Sequence, residues 1–222
     1  MTRTDRLPRP PRADAAPDEP PALHDRALRD LSFIRRTMEG AASFTDVPGW
    51  GLVGLGVTAL AAAPLADRQP TPERWLLVWL AAAVFGASLG GWAMLRKMRR
   101  RVGASGALLL SVPARKFLLS FWPGILVGAV LTLALVDPYT PGIDPRIVAR
   151  VLPGVWLLLY GMGVTTAGTF SIRAVPLMGM GFLALGVIAL FLPAADGDLM
   201  MALGFGVLHV VFGVRIARRH GG

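Results

Sequence analysis

The sequence predicts an all-α polytopic membrane helix bundle of about six transmembrane helices, with both termini cytoplasmic and an amphipathic interfacial helix before the first span. Three observations carry this expectation. The 222 residues are 54% hydrophobic and 17% charged, with a mean hydropathy of +0.54, a composition of multi-pass membrane proteins rather than soluble domains. The apolar residues gather into runs of hydrocarbon length. Between two of these runs lies a cationic connector, Arg96-Lys97-Met98-Arg99-Arg100-Arg101, continuing to Arg115-Lys116, and so dense a cluster beside a span marks a cytoplasmic loop.

Charge sets the threading. Eight arginines precede the first span, seven Arg and Lys residues lie in the connector, one is Arg173, and three (Arg215, Arg218, Arg219) follow the last span. The opposite face holds Arg68, Arg74, Arg146 and Arg150. The positive-inside rule therefore explains the net charge of +9, and no nucleic-acid partner is expected. The chain has no cysteine. That excludes a disulfide framework, a thiolate metal site, a Cys nucleophile and thioether-linked haem.

Residues 1–23 carry six prolines among arginines and acids, a composition read as a disordered cytoplasmic tail without the apolar region of a signal peptide. Residues 24–45 form the amphipathic juxtamembrane segment. Leu28, Leu31, Ile34, Met38 and Ala41 recur at helical spacing, while the opposite face offers the i,i+4 pairs Asp25 with Arg29, Arg26 with Asp30, and Arg35 with Glu39. Its first reading is a helix lying on anionic headgroups, and its second a docking helix for a partner.

Residues 46–222 make the transmembrane domain, with spans at about 48–65, 74–95, 117–136, 147–170, 174–192 and 199–216. Pro48 suits the first turn of a helix, with Asp46 or Thr45 as its cap. Trp75 and Trp79 at one end of the second span and Trp92 at the other form the aromatic belt of two interfaces. Gly86 with Gly90, and Gly124 with Gly128, are small-xxx-small pairs read as helix packing. Residues 107–112 are apolar but too short to span, and are expected at the interface or folded back against the bundle. An echo between residues 54–59 and 161–167 raises an inverted repeat of three spans plus three, but the same offset misplaces the second span, and chance is the preferred explanation.

Few polar groups fall at membrane depth. His209 is the one histidine within a span. It reads as a neutral side chain hydrogen-bonded to Tyr160 or a threonine of the fourth span, against the alternatives of a proton relay or an axial haem ligand. Tyr160, Thr165, Thr166, Thr169 and Arg173, with His209, form a candidate polar path, although threonine hydroxyls equally bond their own helix carbonyls. The acids Asp67, Glu73, Asp137, Asp144, Asp196 and Asp198 are placed in solvated turns on the low-charge side, with weak cation binding at 196–198 as a lesser reading. No H-E-x-x-H, G-x-S-x-G or paired carboxylates within a span support enzymatic chemistry, so no catalytic residue, metal or cofactor is expected.

The segment Phe33-Ile34-Arg35-Arg36-Thr37-Met38-Glu39, the run from Ser43 to Gly51 containing Thr45-Asp46-Val47-Pro48-Gly49-Trp50, and the end from Gly204 through His209 to His220 resemble an uncharacterised family of bacterial multi-pass membrane proteins. The resemblance covers most of the chain after residue 24. It implies a bacterial inner-membrane location and assigns no activity. The expected function is a non-enzymatic accessory or partner-binding subunit. It would contact lipid and a protein partner or a second copy through Arg29, Arg35, Arg36, Arg96, Lys97, Arg99, Arg100 and Arg101. A small-solute permease using the fourth span and His209 is the alternative, and a haem-binding redox protein the second.

Overall fold

The computed structural model describes residues 23–41, 44–102, 112–136, 144–193 and 196–220. The tail at 1–22, the patch at 103–111 and the loop at 137–143, each the subject of an expectation above, lie outside them. The chain divides into two units, Met1–Ala41 and Ala42–Gly222.

The first unit contributes α1 (Leu23–Ala41), a 19-residue helix. Leu28, Leu31, Phe33, Ile34 and Met38 are each more than half exposed along it, and Arg26, Arg29 and Arg35 are exposed as well. The helical period separates the apolar stripe from most of the charges, as the spacing predicts.

The second unit is an all-α bundle, and six of its helical stretches are long and apolar enough to cross a membrane. They comprise α2 (Gly49–Asp67), α3 (Pro72–Val102), α4 (Val112–Val136), α5 (Pro145–Gly168), α6 (Ala174–Phe191), and a sixth stretch, Gly197–His220, assembled from α7 (Gly197–Met201), a π-helical segment (Ala202–Leu208) and α8 (His209–His220). Fold class and span count agree with the sequence expectation.

Four boundaries differ. α4 begins at Val112, five residues before the expected span, so that Arg115 and Lys116 lie in helix rather than in the connector. Arg96 to Arg101 do not begin a loop: α3 runs 31 residues to Val102, about 46 Å at the usual rise and so longer than the hydrocarbon layer. Unbranched Arg, Lys and Met side chains favour helix, and the Arg96 guanidinium sits 5.1 Å from the Trp92 ring one turn back. Neither Asp46 nor Thr45 occupies the N-cap position of α2. Its N-cap is Pro48 in an extended conformation without a side-chain cap bond. Finally, Asp198 is not in a solvated turn but within α7, the start of the sixth span.

Glycine seams hold the bundle. On α5 and α6, Gly161 and Gly179 face each other so closely that a Cβ on either would lie about 3 Å from the other's carbonyl oxygen, at 3.0 and 2.9 Å; Gly154 meets the Gly186 carbonyl at 3.1 Å in the same way. On α2 and the sixth span, a Cβ on Gly56 would lie 2.7 Å from the Gly206 carbonyl, and one on Gly213 would lie 2.8 Å from the Gly49 carbonyl. Each seam repeats every seven residues, the period of left-handed antiparallel packing. Close backbone approach replaces the hydrophobic drive that lipid does not supply. Of the pairs singled out in sequence, Gly124 packs on the Leu159 carbonyl, whereas Gly86 and Gly90 touch the side chain of Leu55.

α2 lies between α3 and the sixth span, and α5 between α4 and α6. The outer helices are exposed: 11% of the α3 window and 17% of the α4 window is buried, against 44% for α5. This layout bears on the internal echo. Gly54 faces Leu89 of α3, the following helix, as Gly161 faces α6; Gly56 faces the sixth span, as Gly163 faces Phe121 of α4. Thr58 and Thr165 each donate to the carbonyl four residues back, Gly54 and Gly161. The echoed threonines bond alike and the order of neighbouring helices corresponds. The glycines pack differently, since Gly161 meets the backbone of α6 where Gly54 meets only the Leu89 side chain.

Candidate functional site

Polar chemistry concentrates in three places. The first surrounds His209, which is fully buried. Tyr160 Oη lies 2.8 Å from His209 Nε2, and His209 Nδ1 lies 2.9 Å from the Phe205 carbonyl. A carbonyl only accepts, so Nδ1 carries a proton, and in the neutral ring Nε2 accepts from the tyrosine hydroxyl. Both ring nitrogens are occupied. The π-helical turn positions it: residues 205 and 209 stack at 6.2 Å with an 18° interplanar angle, and Gly204 admits Leu157 and Phe182 against the backbone. Phe182 and Phe205 contact Tyr160 at 4.8 and 5.0 Å, and Phe121 meets its ring edge-on at 5.6 Å. A haem iron could reach His209 only by displacing Tyr160 or the Phe205 carbonyl.

The other residues of the expected polar path are not gathered around this pair. Thr165 donates to the Gly161 carbonyl at 2.7 Å. Thr166 lies nearest the Met162 carbonyl at 2.9 Å and reaches the Ser120 carbonyl of α4 at 3.2 Å. Thr169 donates to the Thr166 carbonyl at 2.7 Å, and Arg173 is exposed at the α5–α6 turn. The structure joins Tyr160 to His209 and engages the three threonine hydroxyls with backbone carbonyls.

The second place is the basic end. The Lys97 ammonium donates to the Val47 carbonyl at 3.1 Å and the His220 carbonyl at 3.2 Å, joining α3, the segment before α2 and the end of α8. The Phe44 amide donates to the Phe170 carbonyl at 2.7 Å, and the Ser171 hydroxyl donates to the Phe44 carbonyl at 2.6 Å. Phe44 also packs on Phe117 of α4 at 4.9 Å, and the Lys116 ammonium lies 5.8 Å from the Phe170 ring. These ties bring Arg96, Arg99, Arg100, Arg115, Lys116, Arg173, Arg215, Arg218 and Arg219 to one end, all of them exposed. Arg36 and Arg101 belong to helices, and their side chains lie outside the described set.

The third place, at the opposite end, was missed in sequence. Trp75 and Trp79, one turn apart on α3, both donate their indole N–H to Asp198 Oδ1 at 2.7 Å. Trp75 stacks on Trp156 of α5 at 6.0 Å, and Trp156 donates to Thr132 of α4 at 2.8 Å. The signal was present: two tryptophans at i,i+4 put both N–H groups on one face, and buried indoles need acceptors.

Fold and sites together define the class, an α-helical multi-pass membrane protein with a hydrogen-bonded aromatic core and a charge-polarised exterior. Among known proteins, no family model, no curated protein and no solved structure matches the chain.

Proposed function

We propose that this protein is a non-catalytic component of the bacterial inner membrane, both termini cytoplasmic, whose basic end docks an acidic surface of a cytoplasmic protein partner. The observation that carries this reading is the joining of five chain segments by Lys97 and Phe44, which presents nine exposed cations from separate helices on one braced surface. Surface charges at one end steer a complementary partner. In the same reading α1 rests its Leu28, Leu31, Ile34 and Met38 stripe among anionic headgroups.

The test is purification from native membranes in mild detergent. A stoichiometric partner is expected. It dissociates at high salt, is lost in Arg99→Glu/Arg100→Glu and is kept in Arg68→Glu/Arg146→Glu at the other end. Retention of anionic lipid alone, with no protein, would overturn the reading. The corresponding order of neighbours, α3 and the sixth span beside the first span, and α6 and α4 beside the fourth, favours a second reading, a small-solute permease, since transporters are often built from inverted repeats. Solute flux through the pure protein in liposomes would put that reading first.

A further inference from the structure

One outer face of the α2–α3 pair carries cations set on tryptophan. The two helices touch at Gly51, where a Cβ would lie 2.8 Å from the Ala93 Cβ. Successive residues turn by about 100° and the two chains run oppositely, so the residues just before the contact, Trp50 and Trp92, fall on the same side of the pair. The next contact along that side is Gly54 with Leu89. Both indoles are exposed, Trp50 at 62% and Trp92 at 57%. The same periodicity brings Arg96 and Arg99 to this side, and both are exposed. Lys97 lies across the helix from them and reaches inward to the Val47 and His220 carbonyls.

A single tryptophan or arginine at a span end is an ordinary interface anchor. Here two helices deliver two indoles and a guanidinium to one patch, and the Arg96 guanidinium stacks 5.1 Å from the Trp92 ring. Stacking engages its flat face and leaves its N–H edge for an anion, the edge that binds phosphate through paired bonds. Toward the membrane centre, Gly54 and Leu89 and then the exposed Val57 and Phe85 continue the patch as an apolar strip. A phosphate at headgroup level above an apolar strip is the outline of one phospholipid. A net anionic headgroup fits best, because a choline or ethanolamine cation would be repelled by Arg99, one turn beyond Arg96. We propose that this face of α2 and α3 binds an anionic phospholipid such as phosphatidylglycerol, its phosphate on Arg96, its glycerol against Trp50 and Trp92 and its acyl chains along Val57 and Phe85. The site needs no protein partner, so it stands or falls apart from the docking reading.

The full chain, purified in maltoside, is offered an equimolar mixture of phosphatidylglycerol and phosphatidylcholine, and native mass spectrometry scores the lipid retained. Preferential retention of phosphatidylglycerol is expected, falling about tenfold in Arg96→Gln, falling also in Trp92→Leu, and unchanged in Arg68→Gln at the opposite end. Excess inorganic phosphate is expected to leave the lipid in place. Equal retention of the two lipids by the parent, parent-like retention in Arg96→Gln, or displacement by inorganic phosphate overturns the proposal. Arg96 and Trp92 are both exposed, so their variants keep the packed core intact.

Discussion

Gly161→Val is expected to prevent α5 and α6 from closing, giving an aggregated or unfolded species on size exclusion and, where any protein survives, a loss of about 3 kcal/mol. The added Cβ would lie 2.8 Å from the Leu183 amide nitrogen and from Phe182 Cβ, and 3.0 Å from the Gly179 carbonyl. These neighbours are backbone or the rigid root of a side chain, so the helices themselves must move apart. Valine is intrinsically a better helix residue than glycine, so the penalty is one of packing. Gly91→Val is the control: nothing lies within 4 Å of its Cβ position, and it is expected to stay within about 0.5 kcal/mol of the parent. Equal thermal unfolding of the two variants would contradict the seam.

His209→Ala is expected to cost about 3 kcal/mol, from the cavity left between Phe182 and Phe205 and from two partners, Tyr160 Oη and the Phe205 carbonyl, stripped of their bonds. Tyr160→Phe removes one bond and little volume, so about 1 kcal/mol is expected, in keeping with hydrogen bonds between helices in lipid. The ratio of the two losses in thermal unfolding is diagnostic. A His209→Ala protein as stable as the parent would mean that the ring is not a packed part of the core. Imidazole nitrogen chemical shifts supply a second check, with the Nδ1–H tautomer expected.

Span number and type were legible because hydrocarbon thickness demands long apolar runs, and the Tyr160–His209 bond was legible because a buried imidazole in lipid has few partners. Other features depend on what meets what. Gly161 and Gly179 are unremarkable among 26 glycines; only the antiparallel hairpin shows that they oppose each other. Arg96 to Arg101 were read as a loop because charge density signals the side of the membrane but not the backbone state, and helices continue beyond lipid. Asp198 was read as a solvated acid because its partners, Trp75 and Trp79, are more than a hundred residues earlier. Sequence periodicity reports neighbours within a helix, and these contacts join helices across the chain.

Orientation underlies the docking account, and the cysteine-free chain permits a direct test of it. Single cysteines are placed at the exposed ends of the bundle, Arg173→Cys and Arg219→Cys at the basic end, Arg68→Cys and Asp144→Cys at the other. Intact cells are then treated with a membrane-impermeant maleimide. Labelling of positions 68 and 144 before lysis, with 173 and 219 reactive only after it, is the predicted result. Labelling of 173 and 219 in intact cells would put the basic end outside, and no cytoplasmic partner could reach it.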